Sequence, residues 1–414
     1  MMCKKMSCTL MLVVAMSVSA VAFAAGVPKK VEPVKVINNK ADQIKIALSF
    51  KTGLGYDSNA FNSPNKTYVD YAAIPTGSNP TVTARARSGF FVPYNAEFEA
   101  EKRIDRKLLV VGSTIVDGNY YLGGLGNANE FNLALNGGVE FALANWSATD
   151  IQLYAGAIVE RHNKMYVDHD TGASKTNSGG IDVSNRYNFS SKGVEAKCKQ
   201  DFGNFAYTIK GKRLINDYPN PVVVAQMDNT FSSLGVDTEL NLREGTKLKL
   251  SAEHSTRNYS FSHARKSNGV YSTATTPLLS YTYNDYGVTV RQRMSGELVA
   301  YLDYDYSKRI DGYVNYNNYN LQRFGGRVLY EQDQLKGKLS LHHWNRDYPN
   351  AFAYDVAGQP GKVYSGNDLK LKAEFALAKT LSLWAEAIHT LQNSSDLRYD
   401  YNQNQIMAGV NWDL

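Results

Sequence analysis

IMAGVNWDL, residues 406–414, sets Ile406, Ala408, Val410, Trp412 and Leu414 on one face of an extended chain and Met407, Gly409, Asn411 and Asp413 on the other. Successive side chains of a strand point to opposite faces, so this is a half-apolar strand of period two that runs to the last residue. The ends of soluble domains ordinarily fray. A strand patterned to its final residue therefore implies a sheet whose last strand is held by another, as in a closed barrel.

Outward from this strand, the other end of the chain has a different character. Lys4 and Lys5 precede an apolar run from Leu10 to Phe23, and Ala22-Phe23-Ala24 supplies a small-x-small cleavage pattern. Residues 1–24 are expected to be a secretory signal that is removed; the competing reading, a membrane-spanning helix, meets an apolar run that is short for a span. Cys8 lies at the start of the apolar stretch rather than after it, which excludes a lipoprotein cysteine. Cleavage would remove Cys3 and Cys8, leave Cys198 alone and preclude an intramolecular disulfide. Residues 25–43, with Lys29, Lys30, Lys35, Lys40, Pro28 and Pro33 and no periodicity, read as a periplasmic lead-in.

From Ile44 onward one unit recurs: an alternating strand of roughly ten residues, a short turn, a second strand and a longer polar loop. Ile46, Leu48, Phe50, Leu54 and Tyr56 share one face of the first strand. Phe90, Val92, Tyr94, Ala96, Phe98 and Ala100 share a face of the second, against Glu97, Glu99 and Glu101, and Phe131, Leu133, Leu135, Val139, Phe141 and Leu143 face away from Glu140. Short turns fall near Ile104, Asn145, Asp201, Glu244, Gly296, Gln334 and Lys379. Loops are expected at 57–88, 118–129, 163–186, 215–229, 256–277, 311–319, 347–366 and 392–403. The pattern predicts an all-β chain over 44–414, a transmembrane antiparallel β-barrel of about sixteen strands with short periplasmic turns and long extracellular loops. The chain is hydrophilic on average with 28 Tyr, 32 Gly and 11 Pro, as expected where only alternate residues meet lipid. A propeller or solenoid would show a fixed repeat length, which these loops do not. Two segments depart from alternation: 108–116 and Leu381 to Ile388 around Trp384 are apolar on both faces, from an inturned loop or from slipped register.

The residues opposite the apolar faces are candidates to line a lumen. An acidic block, Glu97, Glu99, Glu101 and Glu140, comes from strands two to four. Basic residues dominate later strands: Lys197, Lys199, Lys210, Lys212, Arg291, Arg293, Arg323, Arg327, Lys370 and Lys372, with Asp303, Asp305 and Glu374 among them. Such a field orients water and dipoles and favours polar, often charged solutes, although any wet interior also needs charges that pair across strands. A looser recurrence places Arg and Tyr where strands run into loops: Arg161 to Tyr166, Arg213 to Tyr218, Arg257 to Tyr259, Arg309 to Tyr313 and Arg346 to Tyr348. Tyr at a membrane boundary accounts for most of it, and a site for lipopolysaccharide phosphates or another anion is the functional reading.

Catalytic and metal chemistry find little purchase. His254 and Ser255 are adjacent and so point to opposite faces of a strand. Asp303 and Asp305 share a face, with His342 two strands away, and could activate water, but they read more simply as lumen acids beside basic neighbours. Seven scattered His show no ligand spacing, Asp168 and Asp170 lack an EF-hand or nonapeptide pattern, and no cofactor is expected. The net charge of +6 carries no compact basic cluster that would imply nucleic acid.

With its closing strand and repeat, the chain resembles porin-type outer-membrane β-barrels of Gram-negative bacteria; Trp412 and Leu414 stand where that class commonly ends in Phe or Trp. Gly53-Leu54-Gly55-Tyr56-Asp57-Ser58-Asn59 is similar to the opening hairpin of barrel domains in surface-lipoprotein assembly modifiers, which carry a helical-repeat domain that this chain has no room for. The Pro-Glu-Phe-Gly-Gly-Asp loop of general porins is absent. The resemblance implies an outer-membrane location, contact with lipid and lipopolysaccharide, and a channel for small or oligomeric polar solutes, saccharides among them because Tyr and Trp stack on sugars. A homo-oligomer is compatible with it. The alternatives are a non-conducting surface interaction or scaffold protein and an outer-membrane hydrolase.

Overall fold

The computed structural model describes residues 44–71, 79–105, 107–143, 150–176, 180–219, 227–270 and 275–414. The expected signal and lead-in, residues 1–43, and the turn near Asn145 lie outside them.

Sixteen strands close one antiparallel barrel. They are β1 (Ile44–Asp57), β2 (Gly89–Arg103), β3 (Leu108–Tyr121), β4 (Glu130–Leu143), β5 (Asp150–Lys164), β6 (Phe189–Asp201), β7 (Phe205–Asp217) and β8 (Asn229–Arg243), then β9 (Thr246–His263), β10 (Leu278–Arg293), β11 (Leu298–Asp311), β12 (Tyr319–Gln332), β13 (Leu335–Phe352), β14 (Gly361–Ala376), β15 (Leu381–Ser394) and β16 (Tyr401–Asp413). Each strand pairs with its neighbours in the chain, and β1 closes the ring on β16 from Ser49 opposite Asp413 to Asp57 opposite Gln405. Closure leaves no unpaired edge, which is what a sheet requires where no water can satisfy its backbone.

The outer face is apolar over a continuous band. Ile46, Phe50, Leu234, Leu302, Leu371, Ile406 and Val410 are all exposed, Leu302 to 68%. A belt of this extent far exceeds the apolar patches of soluble monomers and fits a lipid surround. Chain direction reverses through short turns at one end of the barrel and long segments at the other. The two tightest turns have two residues each: that between β8 and β9 has Gly245 at φ +76°, a left-handed conformation that costs glycine nothing, and that between β12 and β13 places Asp333 at φ 49°.

The strands rise further at the long-loop end than the sequence indicates. β9 continues to His263 and β13 to Phe352, over residues expected to be loop from 256 and 347. The cause is compositional: beyond the apolar band the outer face carries Thr256, Asn258, Asn345 and Asp347, so both faces are polar and period two disappears although pairing continues.

The two segments apolar on both faces keep uninterrupted register. Trp384 turns inward. A Cβ at Gly53 would fall 2.9 Å from its ring, its Nε1 donates to the Val410 carbonyl at 3.0 Å, and the Lys51 ammonium sits 3.9 Å from the ring centroid. Trp384 and Met407 pack in one cluster with Phe61, Leu125 and Val167 from three long segments, so loops do turn into the mouth here. Leu109, Val111 and Ile115 of β3 lie on the inner face outside that cluster, and nothing in the structure explains their apolar character.

Asp57 ties the seam. Its carboxylate, wholly buried, accepts from the Asn59 amide at 2.8 Å, the Tyr121 hydroxyl at 2.7 Å and the side-chain amides of Gln403 and Gln405, each at 2.8 Å. Asn59 in turn donates to the carbonyls of Ser63 and Asn402. The Tyr-Asp-Ser-Asn stretch therefore locks the first strand to the last at the long-loop end.

Candidate channel lumen

Alternation and register together assign each strand face. Because the exposed apolar row is outside, the residues between its members project into the barrel. Glu97, Glu99 and Glu101 of β2 and Glu140 of β4 stand on inner positions of one wall, joined by Asp117 of β3. Arg291 and Arg293 of β10, Asp303 and Asp305 of β11, Arg323 and Arg327 of β12, and Lys370, Lys372 and Glu374 of β14 occupy inner positions elsewhere in the ring. β3 and β11 are eight strands apart in a ring of sixteen, so the acidic wall and this basic sector face one another. Lys197 and Lys199 of β6 and Lys210 and Lys212 of β7 lie on inner positions between them.

Many of these charges are paired locally. Lys197 meets Glu195 at 3.1 Å, Lys199 meets Asp201 at 4.0 Å and Lys212 meets Glu160 at 3.8 Å. Lys210 bridges Asp237 at 3.3 Å and Glu253 at 3.5 Å. Lys372 meets Glu374 at 3.5 Å, and Lys370 meets Glu386 at 2.6 Å. By contrast Glu97, Glu99, Glu101 and Glu140 have no ion pair within 4 Å among the described residues, and the Arg323 Nε is buried without a hydrogen-bond partner. Lys338 stands directly across from Lys372. Like charges so placed repel, and water around them is what keeps the cost small. Lys51, Glu386 and Tyr301, not among the residues expected from the sequence, also face inward: Lys51 and Glu386 approach to 3.8 Å, and the Tyr301 ring centroid lies 4.4 Å from the Arg327 guanidinium. A cavity of about 210 Å³ opens beside Lys51, between it and Asn95, Asp117, Asn119, Asn132 and Trp384.

Asp303 is engaged by Arg327 at 3.4 Å and the Thr289 hydroxyl at 2.8 Å. His342 faces inward one strand beyond Gly325, and no hydrogen bond joins it to either aspartate. His254 points outward and Ser255 is buried inside. In the loops, Asp168 meets Lys175 at 2.8 Å, which holds its carboxyl below the usual range, and caps the amides of Asp170 and Thr171. Burial holds the nearby His169 imidazole below its usual pKa.

The Arg–Tyr recurrence divides into two sets, and most of its tyrosines are not a lipid girdle. Arg257, Arg309 and Arg346 lie on inner positions, as do Tyr259 and Tyr348, whereas Arg161 and Arg213 face out. Arg309, 0% exposed, has its guanidinium 4.4 Å from the Tyr281 ring and 4.5 Å from Tyr319 and donates from Nε and Nη2 to the Asn317 carbonyl. Edge-on contacts continue through Tyr319–Tyr348, Tyr348–Tyr364 and Tyr364–Tyr399 at 5.6, 5.9 and 6.1 Å. A tyrosine shelf, braced by arginine, thus lines the inner mouth beneath the loops. Strand parity extended past the apolar band would have found it.

The fold and its apolar band define an outer-membrane β-barrel. No family model matches the chain, and no curated protein does. Among solved structures, OmpF of Salmonella typhi aligns at 12% identity and TM-score 0.45 over 91% of this chain and 99% of its own, and OmpT of Vibrio cholerae at 10% and 0.45 over 91% and 99%. A Rhodopseudomonas blastica porin mutant aligns at 8% identity and TM-score 0.36 over 90% and 100%.

Proposed function

We propose that this barrel is a channel in the outer membrane of a Gram-negative bacterium, through which small or oligomeric polar solutes diffuse along a charged lumen. The observation that carries the reading is the acidic inner wall of β2–β4 set across the ring from the basic sector of β10–β14, with Glu97, Glu99, Glu101 and Glu140 free of ion pairs within 4 Å among the described residues. In a low-dielectric shell such opposed walls make a transverse field that aligns water and dipolar solutes and discourages apolar ones. The reading is tested by reversal potential across a KCl gradient. Removing the carboxylates in Glu97→Gln/Glu99→Gln/Glu101→Gln shifts permeability toward anions, and Arg291→Gln/Arg323→Gln shifts it toward cations. Identical reversal potentials in all three proteins would show that these side chains do not line the conducting path.

One observation favours a second reading, a non-conducting surface protein. Phe61, Leu125 and Val167 from three long segments pack onto the inner wall, as does Tyr316 onto the tyrosine shelf, and such packing could also serve a fixed outer surface.

A further inference from the structure

Where the apolar band ends on the long-loop side, the outer face changes character on every strand from β5 to β16. The first polar outward residue on the strands that run toward the loops is basic without exception: Arg161 on β5, Arg213 on β7, His254 on β9, Lys308 on β11, His343 on β13 and His389 on β15. The returning strands carry Lys192 on β6 and otherwise Ser, Asn or Gln. Arg161, Lys192, Arg213, His254, Lys308 and His343 are exposed. The carboxylates of this face, Asp217 and Asp347, stand four residues further from the band than Arg213 and His343. At the short-turn end the outer face offers Lys102 as its cation among the described strands.

The imidazoles are held in one way. His254 Nδ1 lies 2.9 Å from Asn284 Oδ1, His343 Nδ1 3.0 Å from Asn367 Oδ1 and His389 Nδ1 2.8 Å from Asn404 Oδ1, each pair directly opposite across two strands. An acceptor at Nδ1 fixes the ring and directs Nε2 to the surroundings. Arg161, Lys192 and Arg213 lie on three adjacent strands, each one diagonal step from the next, about 7–8 Å in a sheet. That spacing lets neighbouring cations share one phosphate.

We propose that this collar binds the phosphates of anionic lipid headgroups in the leaflet at the long-loop end, with Arg161, Lys192 and Arg213 as its strongest segment. The inference rests on the apolar band meeting lipid and is independent of whether the lumen conducts. Charge complementarity selects the occupant. Arg161, Lys192, Arg213 and Lys308, with imidazoles completing the row and no carboxylate at the depth where acyl chains give way to headgroups, attract phosphate, and the guanidinium fork matches it in two-point geometry.

Binding of diphosphorylated lipid A to the refolded barrel, followed by native mass spectrometry across a titration, tests the proposal. Arg161→Gln/Lys192→Gln/Arg213→Gln is expected to weaken it roughly a hundredfold, from about a fivefold loss per cation at a lipid surface. Lys192→Gln alone gives the fivefold step if the triple variant folds poorly. Dephosphorylated lipid A is expected to bind both proteins equally weakly. Unchanged affinity in the variants, equal binding of the dephosphorylated lipid to the unmodified barrel, or full displacement by millimolar inorganic phosphate would overturn it. Conductance of the triple variant reports separately on the channel reading.

Discussion

Val410→Arg is expected to block assembly of the barrel while Asn411→Arg leaves it intact. Val410 faces out between Leu383 of β15 and Thr52 of β1, inside the apolar band. An arginine near the middle of that band costs about 2–4 kcal/mol, and here it falls on the strand that must close the ring. Asn411 is the next residue, yet it faces inward, where its Oδ1 accepts from the Ser49 hydroxyl at 3.2 Å and water can solvate a guanidinium. Refolding into vesicles, read as the heat-modifiable folded fraction, gives most of the material folded for Asn411→Arg and little for Val410→Arg. Equal yields would place the lipid face elsewhere.

Asp57→Ala carries the second large effect. Four donors converge on this carboxylate, one from its own loop, one from β3 and two from β16. Removing the acceptor strands them in a buried setting, and the barrel loses about 3–4 kcal/mol at the junction of its first and last strands. Asp57→Asn keeps the shape and one acceptor oxygen and falls between. Denaturant unfolding of the refolded protein measures both, with the midpoint falling in the order native, Asn, Ala. An unchanged midpoint for Asp57→Ala would mean the seam is held by backbone pairing alone.

What was legible in the sequence follows from where lipid imposes alternation. Phe131, Leu133 and Leu135 against Asn132 and Asn136 mark β4 unambiguously, because one face must be apolar and the other need not be. Above the band that constraint lapses. Thr256 and Asn258 look like loop although β9 continues through them, and Arg257 and Tyr259 look like a boundary girdle although they belong to the inner mouth. The division between Arg213 outside and Arg346 inside depends on parity carried along each strand, which a recurring Arg–Tyr motif conceals. The role of Asp57 was out of reach for another reason. Its partners Gln403 and Gln405 lie 346 and 348 residues away, and only ring closure brings them together.

The lumen candidates mix charges with different surroundings. Lys210 and Asp237 satisfy one another within the wall, so removing either alters local packing as much as the field. Glu97, Glu99 and Glu101 have no ion pair within 4 Å among the described residues, and Arg323 stands across from Asp305 with its Nε unbonded, which is why the selectivity variants draw on them.

Whether the barrel conducts is decided by single-channel recording of the refolded, heat-modifiable protein in a planar bilayer. Stable current steps whose size rises with salt concentration are expected. Folded protein that inserts and passes no current would contradict the channel reading and favour the surface-protein reading.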